Sequence, residues 1–331
     1  MDNVIRGHAA RVRAADPLVA GHDGLPGAGG VRLETRDAAG LASVDRIDRD
    51  DLRASWSPLV VHRLQARVGG PDPEAALGGL LDRWMAGLRD PGPGQALAVS
   101  WPSRDTAPVR ALAVRGFAPI SVAAVRRLGE RSANTPGARP PHERSANTPA
   151  ARPPRERSAN TPGAGRLGER EVGAPAVRRA TADDAEAVVR MYERLVAYDA
   201  QFGWVAVRDS TPARIKELVA AEVLPLEWCW VAETGGRPVG CVIVQPPGRS
   251  RWIGKDVRDS PVAYLGVMYV EPAWRGRGVG APLVDVAHRH ASERGVSSMM
   301  LHHALPNPLS TPFWARRGYR PLTTQWVLHL R

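Results

Sequence analysis

Two modes of apolar spacing alternate along the second half of the chain. Runs in which nearly every residue is apolar, "EWCWVAE", "PVGCVIVQ" and "VAYLGVMYV", predict three successive strands, the first two joined at Thr234-Gly235-Gly236. Val188, Tyr192, Leu195 and Val196 recur instead at helical spacing, behind Thr181 and Asp184 in the pattern of a capping box. Thr211-Pro212 opens a second helix with Ile215, Leu218 and Val219 on one face. A third helix runs from Val279 to Arg294 and stops at Gly295. "AVRRA", "SSMMLHH" and "TTQWVLHL" read as further strands, and "STPFWARR" as a short helix ended by Gly318. The predicted order is β-α-α-β-β-β-α-β-α-β, an α/β (mixed α+β) fold with a central mixed sheet flanked by helices.

Between 127 and 173 this patterning stops. "ERSANTPGARPPH" starts at Glu130, "ERSANTPAARPPR" at Glu143 and "ERSANTPGAG" at Glu156, a period of 13 residues. Rich in Pro, Ala, Arg, Ser and Gly, the segment has too little apolar surface to offset its chain entropy, which predicts a disordered or polyproline-like linker. Upstream, residues 96–128 can be laid on 298–330 at a constant offset of 202, so that Gly116 meets Gly318, Phe117 meets Tyr319 and Pro119 meets Pro321. Two related domains in tandem are expected: 1–126, the linker 127–173, and 174–331. The first 70 or so residues are too irregular for assignment.

Composition narrows the class without naming it. The chain has 331 residues, which fits about two domains, and an apolar fraction of 43%, ordinary for a globular protein. No apolar run approaches the roughly 18 residues of a membrane span, and "MDNVIRGHAARVRAAD" has no secretory core, so a cytoplasmic protein is expected. Cys229 and Cys241 are too few for a disulfide framework and fit no zinc spacing; buried thiols facing each other across a hairpin are expected. Net charge is +11, of which 127–170 carries +5. Neither flanking domain shows a dense basic stripe with interleaved aromatics, so nucleic acid is not the expected partner. An arm binding nucleic acid through the Arg-rich repeat is the weaker reading.

The stretch "VEPAWRGRGVGAPL" decides between chemistries. It lies between the strand ending at Val270 and the helix beginning near Val279. Glycines let backbone approach a ligand, and free N–H groups at a helix start favour phosphate. Arg275 and Arg277 add charge. A phosphate-binding loop of the G-x-x-x-x-G-K-[ST] kind needs Lys and Ser or Thr, and both are absent; a dinucleotide fold needs G-x-G-x-x-G, whereas Gly276, Gly278 and Gly280 give G-x-G-x-G. The run Arg275-Gly276-Arg277-Gly278-Val279-Gly280, preceded by Val270-Glu271-Pro272, resembles the acyl-CoA pyrophosphate loop of the GNAT superfamily of N-acyltransferases. The resemblance covers 174–331 and includes Asn307, eleven residues before Gly318-Tyr319.

That resemblance implies an acyl-CoA-dependent N-acyltransferase that moves acetyl from acetyl-CoA to a primary amine of a small molecule or peptide by direct attack. Backbone of 275–280 would hold the pyrophosphate. The pantetheine arm would pair along Met268, Tyr269 and Val270, with Asn307 also on the cofactor side. No metal is implied. The matching part of the first copy, "GGPDPEAALGGLLDRW", has Pro73 and Glu74 and no Arg before the helix, and Asp105 stands where Asn307 stands. The first copy is therefore expected to be degenerate.

Acid–base groups are harder to place. Family members often carry a Tyr four residues before the Gly-aromatic pair, and here Trp314 stands there. Its lack of an acidic proton is the ground for a second reading, a silent acyl-CoA-binding regulatory or interaction protein. His302 and His303 end one strand, and neighbouring strand residues point to opposite faces, so at most one faces the site. His303 and Tyr264 are the expected catalytic pair. Asp199 and Glu193 are candidates for holding a cationic substrate, and some of Trp228, Trp230, Trp252 and Trp274 for lining an acceptor pocket. The polar insertion 246–261 is expected to set acceptor specificity.

Overall fold

The computed structural model describes residues 1–25, 29–89, 91–129, 175–226 and 228–330. Among the described residues, eleven strands form one mixed sheet. In the first half they are β1 (Val31–Glu34), β2 (Ala38–Arg46), β3 (Val60–Val68), β4 (Gln95–Pro102) and β5 (Ala118–Arg127). In the second half they are β6 (Ala176–Arg179), β7 (Cys229–Thr234), β8 (Arg237–Gln245), β9 (Val262–Val270), β10 (Ser298–Ala304) and β11 (Arg320–His329). Helices α1 (Asp2–Ala15), α2 (Pro73–Ala86) and α3 (Val109–Ala113) belong to the first half; α4 (Ala185–Asp199), α5 (Thr211–Leu218), α6 (Arg251–Gly254), α7 (Gly280–Glu293) and α8 (Ser310–Arg316) to the second. Helices cover both faces of the mixed sheet, as the sequence pattern predicts.

Local signals explain the boundaries. Thr181 and Asp184 form the expected capping box ahead of α4. Asp72 caps α2 by accepting from the Ala75 N–H, with Pro73 at the first helical position. Gly116 and Gly318, at φ 85° and 81°, end α3 and α8 in left-handed conformations that a side chain would strain. The next residue in each case bonds back across the helix end, Phe117 N–H to Leu112 O at 3.2 Å and Tyr319 N–H to Trp314 O at 3.0 Å. The sequence offset of 202 thus holds for hydrogen bonds as well as residue types.

The strand order is β1-β2-β3-β4-β11-β5-β10-β9-β8-β7-β6. The last strand of each half lies in the other half's territory: β11 pairs with β4 and β5 pairs with β10, both antiparallel. The registers obey the offset, since Ser298 faces Arg127 as Ala96 faces His329. At the centre β5 and β11 pair with each other, and Val122 faces its own counterpart Thr324. A pseudo-twofold axis therefore passes through that pair. The two halves share one sheet with exchanged closing strands.

The seam is apolar. Val12, Leu18 and Val19 of the first half pack with Ile253, Val257, Met300 and Leu322 of the second and with Ala123 and Val125 of β5. Full burial of each large aliphatic side chain contributes about 2 kcal/mol. Arg320 forms an ion pair with the fully buried Asp16, and its Nη2 donates to Asp16 Oδ1 at 2.9 Å. The first 70 residues, unassigned from sequence, supply α1 and three strands. β5 runs to Arg127, and residues 130–173 of the expected linker lie outside the described ones. Cys229 and Cys241 are buried free thiols, as expected, but not opposite each other: Cys229 faces Ile243 and Cys241 faces Val231. No described helix is long and apolar enough to cross a membrane.

Candidate active site

Strands β9 and β10 run parallel and pair only from Val262–Ser298 to Tyr264–Met300. Beyond that point they separate. A register shift between β8 and β9 lies where Gly266 is skipped, and a glycine within an apolar strand is a bulge signal. The bulge turns the strand over: Ala263 and Leu265 join the core under α7, while Val267 and Tyr269 join that under α4 and α5. The divergence leaves one side of β9 without a strand partner from Leu265 to Val270.

The glycine loop sits at the far end of that opening. Gly276 and Gly278 have φ of 73° and 80°, and a Cβ on either would meet nothing within 4 Å. They are required by backbone conformation and are exposed. Gly280 has a different cause: a Cβ there would lie 2.8 Å from the Met268 Cε and 3.1 Å from the Phe313 ring. Val279 is buried and anchors the start of α7 in the core. That helix start has no side-chain cap. Among the described residues, the N–H groups of Gly276, Arg277, Gly278 and Val279 meet no protein acceptor. Together they make a concave set of donors at the positive end of a helix dipole.

The two loop arginines differ. Arg275 turns back on the fold: its Nε donates to Val270 O at 2.9 Å, and its guanidinium lies over the rings of Tyr198 and Tyr269 at 5.0 and 5.4 Å. It holds the strand end in place. Arg277 is exposed beside the Trp274 ring, and among the described residues it forms no ion pair. Asn307 is buried and occupied as well. Its Oδ1 accepts from the N–H groups of Leu309 and Ser310, fixing the turn into α8, and its Nδ2 faces Asp199 Oδ1 at 3.4 Å. Burial raises the Asp199 carboxyl to about 6, the Asn307 contact opposing this.

At the start of the split, the parallel register puts Tyr264 level with Met300, so even-numbered residues of β10 share its face. Tyr264 Oη lies 3.1 Å from Nδ1 of His302. His303, the expected partner, points to the opposite face, 3.4 Å from Thr311 Oγ1. The structure thus brings Tyr264 together with His302 and not with His303. Packing among rings draws the His302 imidazole below its ordinary value, with His303 adding repulsion, so it is neutral near pH 7. The residue is nonetheless exposed to solvent. Burial pushes the Tyr264 phenol upward. Trp228 and Trp230 are core residues, and Trp314 is buried against Phe313 and Tyr319. Trp252 alone of the four candidate indoles stands beside Tyr264.

In the first half the same opening is filled. β3 and β4 pair only from Val60–Gln95 to Arg63–Ala98. Into the gap beyond, α1 inserts His8 and Arg11. His8 Nδ1 accepts from the Val68 N–H at 3.3 Å, and Arg11 Nη1 donates to Val68 O at 2.8 Å. Arg11 Nε reaches both carboxylate oxygens of Asp105 at 3.1 Å. His8 Nε2 meets His22 Nδ1 at 2.8 Å, and its ring packs edge-on against Trp101. Burial, helped by His22, Arg67 and Arg11, holds His8 far below its usual value, neutral in the plug. The opening in the first half is thus filled by side chains of α1.

Comparison with known proteins agrees with this geometry. Residues 209–319 match the model of the acetyltransferase (GNAT) family. The match lies within the second half of the chain. An uncharacterised N-acetyltransferase of Methanocaldococcus jannaschii is 31% identical over 90 residues, which are 27% of this chain and 38% of that protein. The chain thus spans well under half the length of that relative. The crystal structure of a GCN5-related N-acetyltransferase from Sphaerobacter thermophilus aligns with 90% of this chain and 82% of its own at 13% identity and a TM-score of 0.51. This likeness is one of fold, and it extends over both halves of the chain.

Proposed function

We propose that this chain is an acetyl-CoA-dependent N-acetyltransferase acting on a primary amine, with its one working site in the second half. The observation that carries this is the loop 275–280: four unpaired N–H groups and Arg277 at the start of α7, beside the unpaired side of β9. The donors suit a pyrophosphate, and the free side of β9 suits an extended amide-bearing arm that pairs as an added strand. Gly276 and Gly278 contribute shape, while Arg275 and Asn307 act as positioning residues.

The reaction needs one proton removed from the amine and one delivered to the leaving thiolate. As the amine nitrogen bonds to the acetyl carbon, His302 Nε2 takes the amine proton. A β9 backbone N–H polarises the carbonyl. As the carbon–sulfur bond breaks, the Tyr264 phenol gives its proton to sulfur and regains one from His302 Nδ1. This path replaces the acid that Trp314 cannot supply. The first half reads as a degenerate copy that binds no acyl-CoA, because His8 and Arg11 occupy its opening. Release of CoA from acetyl-CoA in the presence of amines tests the activity. Acetyl-CoA binding without turnover of any amine would favour the silent binding protein instead.

A further inference from the structure

The insertion 246–261 carries Trp252, a residue that the reaction steps above do not use. Trp252 on α6 is 50% exposed although it is the largest side chain of its segment. Its ring meets Tyr264 edge-on at 4.9 Å and lies nearly parallel to His302 at 6.0 Å, with 12° between the planes. Its Nε1 donates to Gln245 Oε1 at 3.1 Å. The segment beneath it is rigid. Ile253 and Val257 are buried in the seam, the Ser250 hydroxyl donates to Val262 O at 2.9 Å, and Arg258 N–H donates to Leu18 O at 2.8 Å. A tryptophan held this firmly with half its surface in water is preorganised for a ligand.

Charge narrows the ligand. Among the described residues no carboxylate contacts Trp252, Tyr264 or His302. The groups acting on Tyr264 are Tyr192 and His302, and on His302 it is His303. Arg251 and Lys255, on either side of Trp252, are cationic and exposed. Such a wall offers no anchor for a polycationic amine and opposes a second positive charge. It offers flat π-surface next to the group that takes the amine proton.

We propose that Trp252, with His302 and Tyr264, forms the acceptor-binding wall and selects a monoamine carried on a flat aromatic body. This rests on the acetyltransferase reading above. The ring stacks on Trp252, and its amine reaches past His302 into the split between β9 and β10.

The test compares 2-phenylethylamine, n-hexylamine and spermidine as acceptors, with acetyl-CoA affinity measured separately by calorimetry. The expected kcat/KM for phenylethylamine exceeds that of hexylamine by about tenfold, as one aromatic contact predicts. Trp252→Ala and Trp252→Leu should abolish that preference mainly through KM, and Trp252→Phe should retain it. Acetyl-CoA affinity should be unchanged in all three. Equal use of aryl and alkyl amines, a preference for spermidine, or a preference that survives Trp252→Ala would overturn the inference and leave the acetyltransferase reading standing. Failure of the intact protein to bind acetyl-CoA would overturn both.

Discussion

His302 and His303 are chemically equal neighbours, and a single hydrogen bond separates their roles. His302 faces Tyr264, whereas His303 faces Thr311 on the far side of β10. Replacing His302 by Gln should lower kcat about 100-fold, the usual scale for losing a positioned base, while His303→Gln leaves it near wild type. Because the His302 value is lowered, kcat/KM should hold as pH drops to ordinary histidine values and fall only below them; a pH–rate profile checks this. Asp199 gives a stability prediction. Its folded value is raised to about 6, so the ionised carboxylate costs stability above that pH and the cost vanishes below ordinary carboxylate values. Asp199→Asn should therefore stabilise by about 1 kcal/mol at pH 8, allowing for partial exposure, and by nothing at pH 4. Thermal unfolding at the two pH values measures it. Sequence reading narrowed the base to two neighbouring histidines and settled on His303, whereas the one that meets Tyr264 is His302, because the facing depends on the register of β10 against β9. The three glycines were legible as a set; that Gly280 serves packing against Met268 and Phe313 was not, because both contacts are distant in sequence.

At the scale of elements, the site is a parallel pair of strands that stops pairing. Gly266 is the sequence trace of that event, a glycine in an otherwise apolar strand. Each half opens in the same way, and α1 fills the opening of the first. From Ala176 onward the period of apolar residues was enough to place every strand and the long helices, because each buries one side against its own neighbours. The stretch 1–70 was unreadable for the opposite reason. His8, Arg11, Asp16 and Arg67 are polar residues drawn into the fold by partners far along the chain, so they break the pattern that a local reading depends on. Asp16 shows the strength of such partners: burial alone would raise its carboxyl, yet the Arg320 hydrogen bonds hold it below its ordinary value. Asp16→Ala leaves Arg320 without its partner and should cost about 3 kcal/mol in chemical denaturation, since one side of a buried pair is lost.

At the scale of the whole molecule, the exchange of β5 and β11 makes the two halves one folding unit. Residues 175–330 alone would present β10 with no neighbour on its outer side and β11 with neither of its partners. Expressed alone, that fragment should be insoluble or unfolded, whereas co-expression with 1–129 should restore a soluble complex that binds acetyl-CoA. Size-exclusion chromatography of the pair reads the outcome, and a stable, active lone fragment would contradict it. The repeated sequence showed that two copies exist, but not that their closing strands trade places, because β5 and β11 match each other too well for local pattern to tell native from exchanged pairing. The central claim is that one phosphate-bearing acyl donor binds at the loop 275–280. The most direct measurement is calorimetric titration of acetyl-CoA into the intact protein and into Gly278→Glu, which adds a strained side chain and negative charge at φ 80°. One site per chain in the intact protein and none in the variant is the predicted result. Two sites, or equal binding by the variant, would contradict the account.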